Sequence, residues 1–561
     1  MLAVIAIWIE VVVVSKSLRH TLAVVVMAMV AVFSFAIAPG TARAAGTGAI
    51  TVDGKVASRY DAYQLFSATV IDDADADQKV ATDITWANDA VRQAALPVLH
   101  DAGLDSSAST AQEAAEWMNA DGDMTTELTA KLARAIVKAG AVSVPFNAGT
   151  AAVLSCGYWL IVADDGAIAQ GDAGTAPIMA LVGGSAVTVK PKAATPKVAK
   201  HVLEDSTAAW QKAADATVAD DLYWRLSATV PAGLSAYDTY AVQFVDTMSA
   251  GLDPSKVAAS MHVYVAAGAD GGFDAVSTGK DGCAATEPAK GWTDITAQCV
   301  VSVEGSTFTV RTGDLIAALG GADAFTAGAR VVAVYSAPLG ANCNRGASKG
   351  NPNEAYLRYP RSPFADQSGD AGFTRTPTDD ATAYTWGLSL IKRSSTDDNP
   401  LAGAKLRITD DRSRTLAADG TWTTDADACV VTDGDGRVEL NGVDAGVYTV
   451  EEVAAPKGYT AFEGKRTVTV AADGLDVEQV AAAKPKVTVS AESPLRVDAA
   501  DAGTGSIELS VLNTPSKEAS RGFMPSTGDR TLVLVAALAA IGVAAIVAAL
   551  VIKRGGGRRE K

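Results

Sequence analysis

The chain runs to 561 residues, which at roughly 100–200 residues per domain means about three to five units and excludes a single small domain. With 48% hydrophobic residues, 20% charged residues and a formal net charge of −17, it can bury real cores while its field repels nucleic acid and anionic lipid. The 50 glycines against 20 prolines, 6% aromatic content and many short Val/Thr runs point to β-rich globular domains rather than disorder or collagen. The four histidines, His20, His100, His201 and His262, lie far apart, with neither metal-ligand spacing nor an evident general base, so no metal and no cofactor is expected.

Residues 1–44 read as a signal-peptide region. Lys16, Arg19 and His20 precede an uncharged run from Thr21 to Ala38, and Ala42-Arg43-Ala44 is a small-x-small site before Ala45. The apolar stretch from Met1 to Val14, broken by Glu10, leaves open a start nearer Lys16. Residues 45–194 form an α+β unit. Thr110 and Glu113 fit a capping box, and a helical pattern follows from Ala111 to Lys138 with a turn at Asp121-Gly122-Asp123. The linker Lys190-Pro191-Lys192-Ala193-Ala194-Thr195-Pro196 leads into residues 195–380, which alternate as strands almost throughout, and residues 384–515 are β again. The fold expected is mainly β: tandem Ig-like β-sandwich domains behind an N-terminal α+β domain. Residues 516–530 form a polar stalk. The 22 uncharged residues Thr531 to Ile552 are enough, at about 1.5 Å per residue, for a transmembrane helix across a core of about 30 Å. The basic tail 553–561 would keep that end in the cytoplasm.

Residues two apart share a face of a strand, so phase shows which polar side chains point inward. In the second unit Lys200 is in phase with Val198 and Val202, Asp246 with Tyr240, Val242 and Phe244, and Asn353 with Ala355, Leu357 and Tyr359. The third unit repeats the order: Lys392 follows Leu388 and Leu390, Glu452 follows Tyr448 and Val450, and Asn513 follows Ile507, Leu509 and Val511. Unpaired charges in a core cost several kcal/mol, roughly, so each trio is expected to meet. Burial lowers the lysine pKa and raises that of the acid, which favours a neutral amine beside a protonated carboxyl. The amine can then attack the carboxamide, the acid polarises it and shuttles a proton, and ammonia leaves behind an intramolecular isopeptide bond. The bonds expected are Lys200 to Asn353 with Asp246 as catalytic acid, and Lys392 to Asn513 with Glu452. Glu451 is a rival that strand phase argues against.

The segment Tyr448-Thr-Val450-Glu-Glu452-Val-Ala-Ala455-Pro456-Lys-Gly458-Tyr459 resembles the E-box of SpaA-like, collagen-adhesin-B-type pilin domains. Leu401-Ala-Gly403-Ala404, Thr432-Asp-Gly-Asp-Gly436 and the closing Val511-Leu-Asn513-Thr514-Pro515 match the same family. The second unit resembles the fimbrial isopeptide-forming D2 domain through Thr195-Pro196-Lys-Val198-Ala-Lys200, Phe244-Val-Asp246-Thr-Met-Ser-Ala-Gly251-Leu252 and Gly350-Asn-Pro352-Asn353-Glu-Ala355-Tyr-Leu357. The first resembles the N-terminal pilin domain weakly, through Tyr60-Asp-Ala-Tyr63-Gln-Leu-Phe66. Met524-Pro525-Ser526-Thr527-Gly528 before the apolar span is similar to the Leu-Pro-x-Thr-Gly sorting signal of Gram-positive surface proteins, with Met for Leu. That resemblance implies a sortase that cuts between Thr527 and Gly528 and passes the Thr527 carboxyl to an amine.

Pilin families carry the joining lysine between the first two domains, and Val187-Thr-Val189-Lys190-Pro191-Lys192 looks like the end of that motif. Lys190 and Lys192 face outward, and Lys192 is the choice against an ordinary solvated lysine. Of the five cysteines, Cys283 and Cys299 are the nearest pair and are expected to form a disulfide. Gly346-Ala-Ser348-Lys-Gly350 has a hydrolase-like pattern, but Asn351-Pro352 follows where a helix is needed, so it reads as a loop. Asp73, Asp75 and Asp77 alternate like a calcium loop without its glycine, and read as a solvated turn. These features imply a structural fimbrial subunit at the Gram-positive surface rather than an enzyme. Its partners would be sortase, other pilin subunits, peptidoglycan and a surface ligand of unknown identity, with a membrane only before sorting. The alternative is a monomeric wall-anchored adhesin.

Overall fold

In the computed structural model, residues 46–516 are described apart from 55, 74–77, 121–123, 192–194, 233, 269–277, 280, 281, 284–290 and 327. The signal-peptide region, Lys192, the sorting motif at 524–528, the apolar run 531–552 and the basic tail lie outside the described residues, as do Asp75, Asp77 and the side chain of Cys283. Among the described residues, no helix is long and apolar enough to cross a membrane.

The first unit is built on the long strand Arg59–Asp73, the centre of a five-stranded sheet. One face of that sheet carries three helices, Asp89–Asp101, Ala111–Ala120 and Thr126–Lys138. The second and third arise where the capping box and apolar period foretold them. Glu113 N donates to Thr110 Oγ1 (3.2 Å) and Thr110 N to Glu113 Oε2 (2.9 Å). The first helix begins at Asn88, whose side chain accepts from Val91 N, and it tolerates Pro97 in its interior, the residue that obscures its pattern. The other face packs on a three-stranded sheet in which Thr47–Val52 pairs in parallel with Val187–Val189, so the chain leaves the unit beside its own first strand.

Each later unit is a sandwich of two sheets. In the second, Val198–Glu204, Tyr223–Thr229 and Arg330–Ser336 are neighbours in one sheet. Gln243–Met248, Asn351–Pro360 and Asp379–Tyr384 are neighbours or near-neighbours in the other. In the third, Trp386–Ser394 pairs in parallel with Ser506–Pro515, so the first and last strands of the unit lie side by side. Gly446–Ala454 belongs to the opposing sheet.

Strand Asp379–Tyr384 pairs with Asn351–Pro360, and one residue, Thr385, separates it from Trp386. The second and third units are therefore joined without slack. Trp386 Nε1 and Ala445 N both donate to Asp215 Oδ2 at 2.8 Å, and Arg414 forks onto Asp220 at 2.6 and 2.7 Å. The Gly346-Ala-Ser348 loop, which strand Asn351–Pro360 follows, also lies in this joint: Ala347 N and Ser348 N donate to the carbonyls of Ala502 and Gly503. Gly346 has φ +76°, and a Cβ there would sit 2.2 Å from Gly505 N, so the close approach requires glycine at that turn.

Candidate functional site

Both trios come together inside their sandwiches. In the second unit Lys200, Asp246 and Asn353 have no solvent exposure. Lys200 comes from one sheet, whereas Asp246 and Asn353 face it from adjacent antiparallel strands of the other. Register places Asp246 opposite Ala355 and Met248 opposite Asn353, so acid and amide are diagonal neighbours on one face. Lys200 Nζ donates to Asp246 Oδ2. A fourth residue joins them. Tyr335, fully buried on strand Arg330–Ser336, accepts from Lys200 Nζ (2.8 Å) and Asn353 Nδ2 (2.9 Å) and donates to Asp246 Oδ2 (2.8 Å). The Trp224 ring lies 5.3 Å from Lys200 Nζ, and Phe308 packs edge-on against Tyr335 with centroids 4.6 Å apart. This apolar casing pushes the Lys200 pKa down and the Asp246 and Tyr335 pKa values up, with desolvation the largest cause in each.

In the third unit Lys392 and Asn513 share a sheet on neighbouring parallel strands. Lys392 pairs with Val511 and Ser394 with Asn513, so lysine and amide are again one step apart diagonally. Glu452 reaches both from the opposing sheet: its Oε2 lies 3.1 Å from Lys392 Nζ, and its Oε1 accepts from Asn513 Nδ2 at 2.7 Å. Phe462 N donates to Glu452 Oε2 (3.0 Å), and the Phe462 ring covers the ammonium at 5.1 Å. The ammonium makes an ion pair without hydrogen-bond alignment, and burial pushes the Lys392 pKa down to about 8, so a neutral fraction of the amine is within reach near physiological pH. Glu451 points to the other face, where it pairs with Arg407 at 3.0 Å. Of the two adjacent glutamates, only Glu452 is paired with the buried Lys392.

The oxygens Asp246 Oδ1, Asn353 Oδ1 and Asn513 Oδ1 are buried without a hydrogen-bond partner. Such orphans cost about 1–3 kcal/mol each, so the trios are poorly suited to be ordinary stabilising pairs. Turning the Asn513 carboxamide over exchanges its oxygen and nitrogen, and its oxygen then meets the protonated Glu452, the arrangement that amide activation needs. Strand phase does not single out Tyr335, because its strand is buried on both faces after Arg330 and a core tyrosine is ordinary.

Lys190 is exposed at the end of the first unit, 3.5 Å from Asp53. The disulfide expected between Cys283 and Cys299 does not appear. Cys299 is a free thiol whose Sγ donates to the Ile295 carbonyl at 3.3 Å, turned into its own short helical turn. Among the described residues no group of His, Cys, Asp or Glu is arranged to hold a metal ion.

Residues 387–484 match the family model described as SpaA, prealbumin-like fold domain, which names the third sandwich more narrowly than the Ig-like expectation. No curated protein matches the chain. Similar solved structures include the T6 backbone pilin of serotype M6 Streptococcus pyogenes, at 14% identity, TM-score 0.45, 84% of this chain and 98% of that one. The full-length major pilin SpaD from Corynebacterium diphtheriae has the same identity and coverage at TM-score 0.41. BcpA, the major pilin subunit of Bacillus cereus, gives 13% identity, TM-score 0.38, 84% of this chain and 99% of that one.

Proposed function

We propose that this chain is a structural subunit of a covalent surface fimbria, a pilin. Its second and third units would each be closed by an isopeptide bond, and sortase would join it to further subunits or to the cell wall. One observation carries this reading: two separate sandwiches each bury a lysine, a carboxylic acid and an asparagine within mutual reach, with no other use for the amine.

In each unit the desolvated amine attacks the carboxamide carbon, the carboxyl group moves the proton, and ammonia leaves. Polymer formation would use the Thr527 carboxyl at the sorting motif and an amine in the linker, Lys192, which follows exposed Lys190 and Pro191. Fimbrial assembly at the cell surface accounts for the signal region, apolar span and basic tail together.

Two measurements test this. Peptide mapping of the whole chain should recover one crosslinked peptide containing Lys200 and Asn353 and another containing Lys392 and Asn513, each lighter by one ammonia and each lost in Asp246→Ala or Glu452→Ala respectively. Two uncrosslinked sites in the wild type would sink the isopeptide assignment. Surface extracts heated in detergent should show a high-mass ladder that collapses to monomer in Lys192→Ala. A single band in the wild type would favour the monomeric adhesin.

A further inference from the structure

We propose that Tyr335 is a third catalytic group of the second-unit site, carrying a proton between Asp246 and the leaving nitrogen of Asn353. This rests on the isopeptide reading above and adds a residue to it. The argument is one of reach. In the third unit Glu452 touches both lysine and asparagine with its two oxygens, at 3.1 and 2.7 Å. In the second unit the acid is one methylene shorter. Asp246 holds Lys200, but the hydrogen bonds run from Asn353 to Tyr335 and from Tyr335 to Asp246, at 2.9 and 2.8 Å. The hydroxyl spans the gap that the missing methylene leaves. It also touches both reacting nitrogens, Lys200 Nζ and Asn353 Nδ2.

The proton balance closes without an outside partner. Neutral Lys200 Nζ attacks Asn353 Cγ, forming the Nζ–Cγ bond. As Cγ–Nδ2 breaks, Tyr335 gives its hydroxyl proton to Nδ2 and takes one from the Asp246 carboxyl. Asp246 then accepts the surplus proton on Nζ. Ammonia leaves, the amide remains, and Tyr335 and Asp246 return to their starting forms. Because Tyr335 is fully buried, no bulk water substitutes for it.

The test follows both crosslinked peptides in the full-length chain over time. Tyr335→Phe should slow the Lys200–Asn353 bond by about 10²–10³, within the range of general acid catalysis, while the Lys392–Asn513 bond forms at the wild-type rate. Formation of the second-unit bond at the wild-type rate in Tyr335→Phe overturns the proposal and leaves the isopeptide reading standing. Failure of that bond in the wild type overturns the reading itself. Fluorinated tyrosines at 335 keep the shape while changing hydroxyl acidity, and so guard against a folding defect. The rate should change steadily with acidity, and a rate indifferent to it would reduce Tyr335 to a packing residue. In the double variant Asp246→Glu with Tyr335→Phe, the longer acid should restore at least tenfold of the lost rate, and no recovery would overturn the reach argument.

Discussion

The second and third units place the same three chemical groups in different relation to the chain. In the third, lysine and asparagine lie on the first and last strands, which are parallel neighbours, and the acid faces them from across the core. In the second, the lysine lies on the first strand of one sheet, while the asparagine lies on the other sheet and not on the last strand, because Asp379–Tyr384 follows and pairs with it. The third-unit bond would pass force from entry to exit. The second would staple sheet to sheet and leave the segment from Asn353 to Tyr384 in the force path. Lysine and asparagine therefore sit on the first and last strands only in the third unit. What carries over between the two is the chemistry of burial, and what does not is the route of the chain.

Shortening the acid where no tyrosine assists it puts the largest strain on this comparison. Glu452→Asp should cut the rate of the Lys392–Asn513 bond by at least about 10²-fold, the usual worth of a placed acid. Chains caught uncrosslinked should lose about 5 kcal/mol, because the loop closed is longer than ~100 residues. Peptide mapping and thermal unfolding check both, and an unimpaired Glu452→Asp would mean that acid length does not separate the sites.

Pulling single chains from their ends addresses the force path. The crosslinked third unit should extend hardly at all. The second should release the roughly 30 residues between Asn353 and Tyr384, at most about 100 Å at ~3.4 Å per residue. Equal behaviour of the two units would contradict the topological difference.

The joint between them should respond to pH. Burial pushes Glu204 up to about 7 and raises Asp215 and Asp444, the latter two sharing a hydrogen bond. Asp205, Asp220, Asp221, Asp410 and Asp411 surround them with Arg412 and Arg414 as the counter-charges. Since the folded state holds these protons more tightly than the unfolded one, the stabilisation is complete below the ordinary carboxylate range and is lost as pH rises through about 7. Unfolding should be harder at pH ~5 than at pH ~8 by on the order of 2 kcal/mol, and Asp444→Asn should flatten that dependence. In crosslinked chains Lys392 no longer titrates, which keeps its opposite trend out of the measurement.

The smallest effect belongs to Glu451→Ala. Its partner Arg407 is on the partly exposed face, so the change should cost no more than about 1 kcal/mol and leave the Lys392–Asn513 bond intact. Loss of the bond in this variant would reverse the choice of acid.

The sequence by itself determined the mainly β character, the capping box at Thr110 and Glu113, and the inward phase of all six trio residues. Phase is plainest where a strand has one wet face, although the strand of Lys392 is buried on nearly every residue and its lysine still shares the phase of Leu388 and Leu390. The strand bearing Glu452 alternates buried and half-buried residues from Tyr448 to Glu452, and the one bearing Asn353 alternates buried with half-buried or exposed residues from Asn351 to Tyr359. Only the tertiary structure decided what period-two patterning cannot carry. The strand of Tyr335 is buried on both faces, so no alternation marks its hydroxyl, and the diagonal register that brings acid and amide together depends on pairing between strands far apart in sequence. The turn of Cys299 toward its own Ile295 carbonyl, and the acidic joint assembled from Glu204, Asp215 and Asp444, belong to the same class. Local spacing sets which face a side chain takes, whereas its neighbour across the core is set by how the sheets stack.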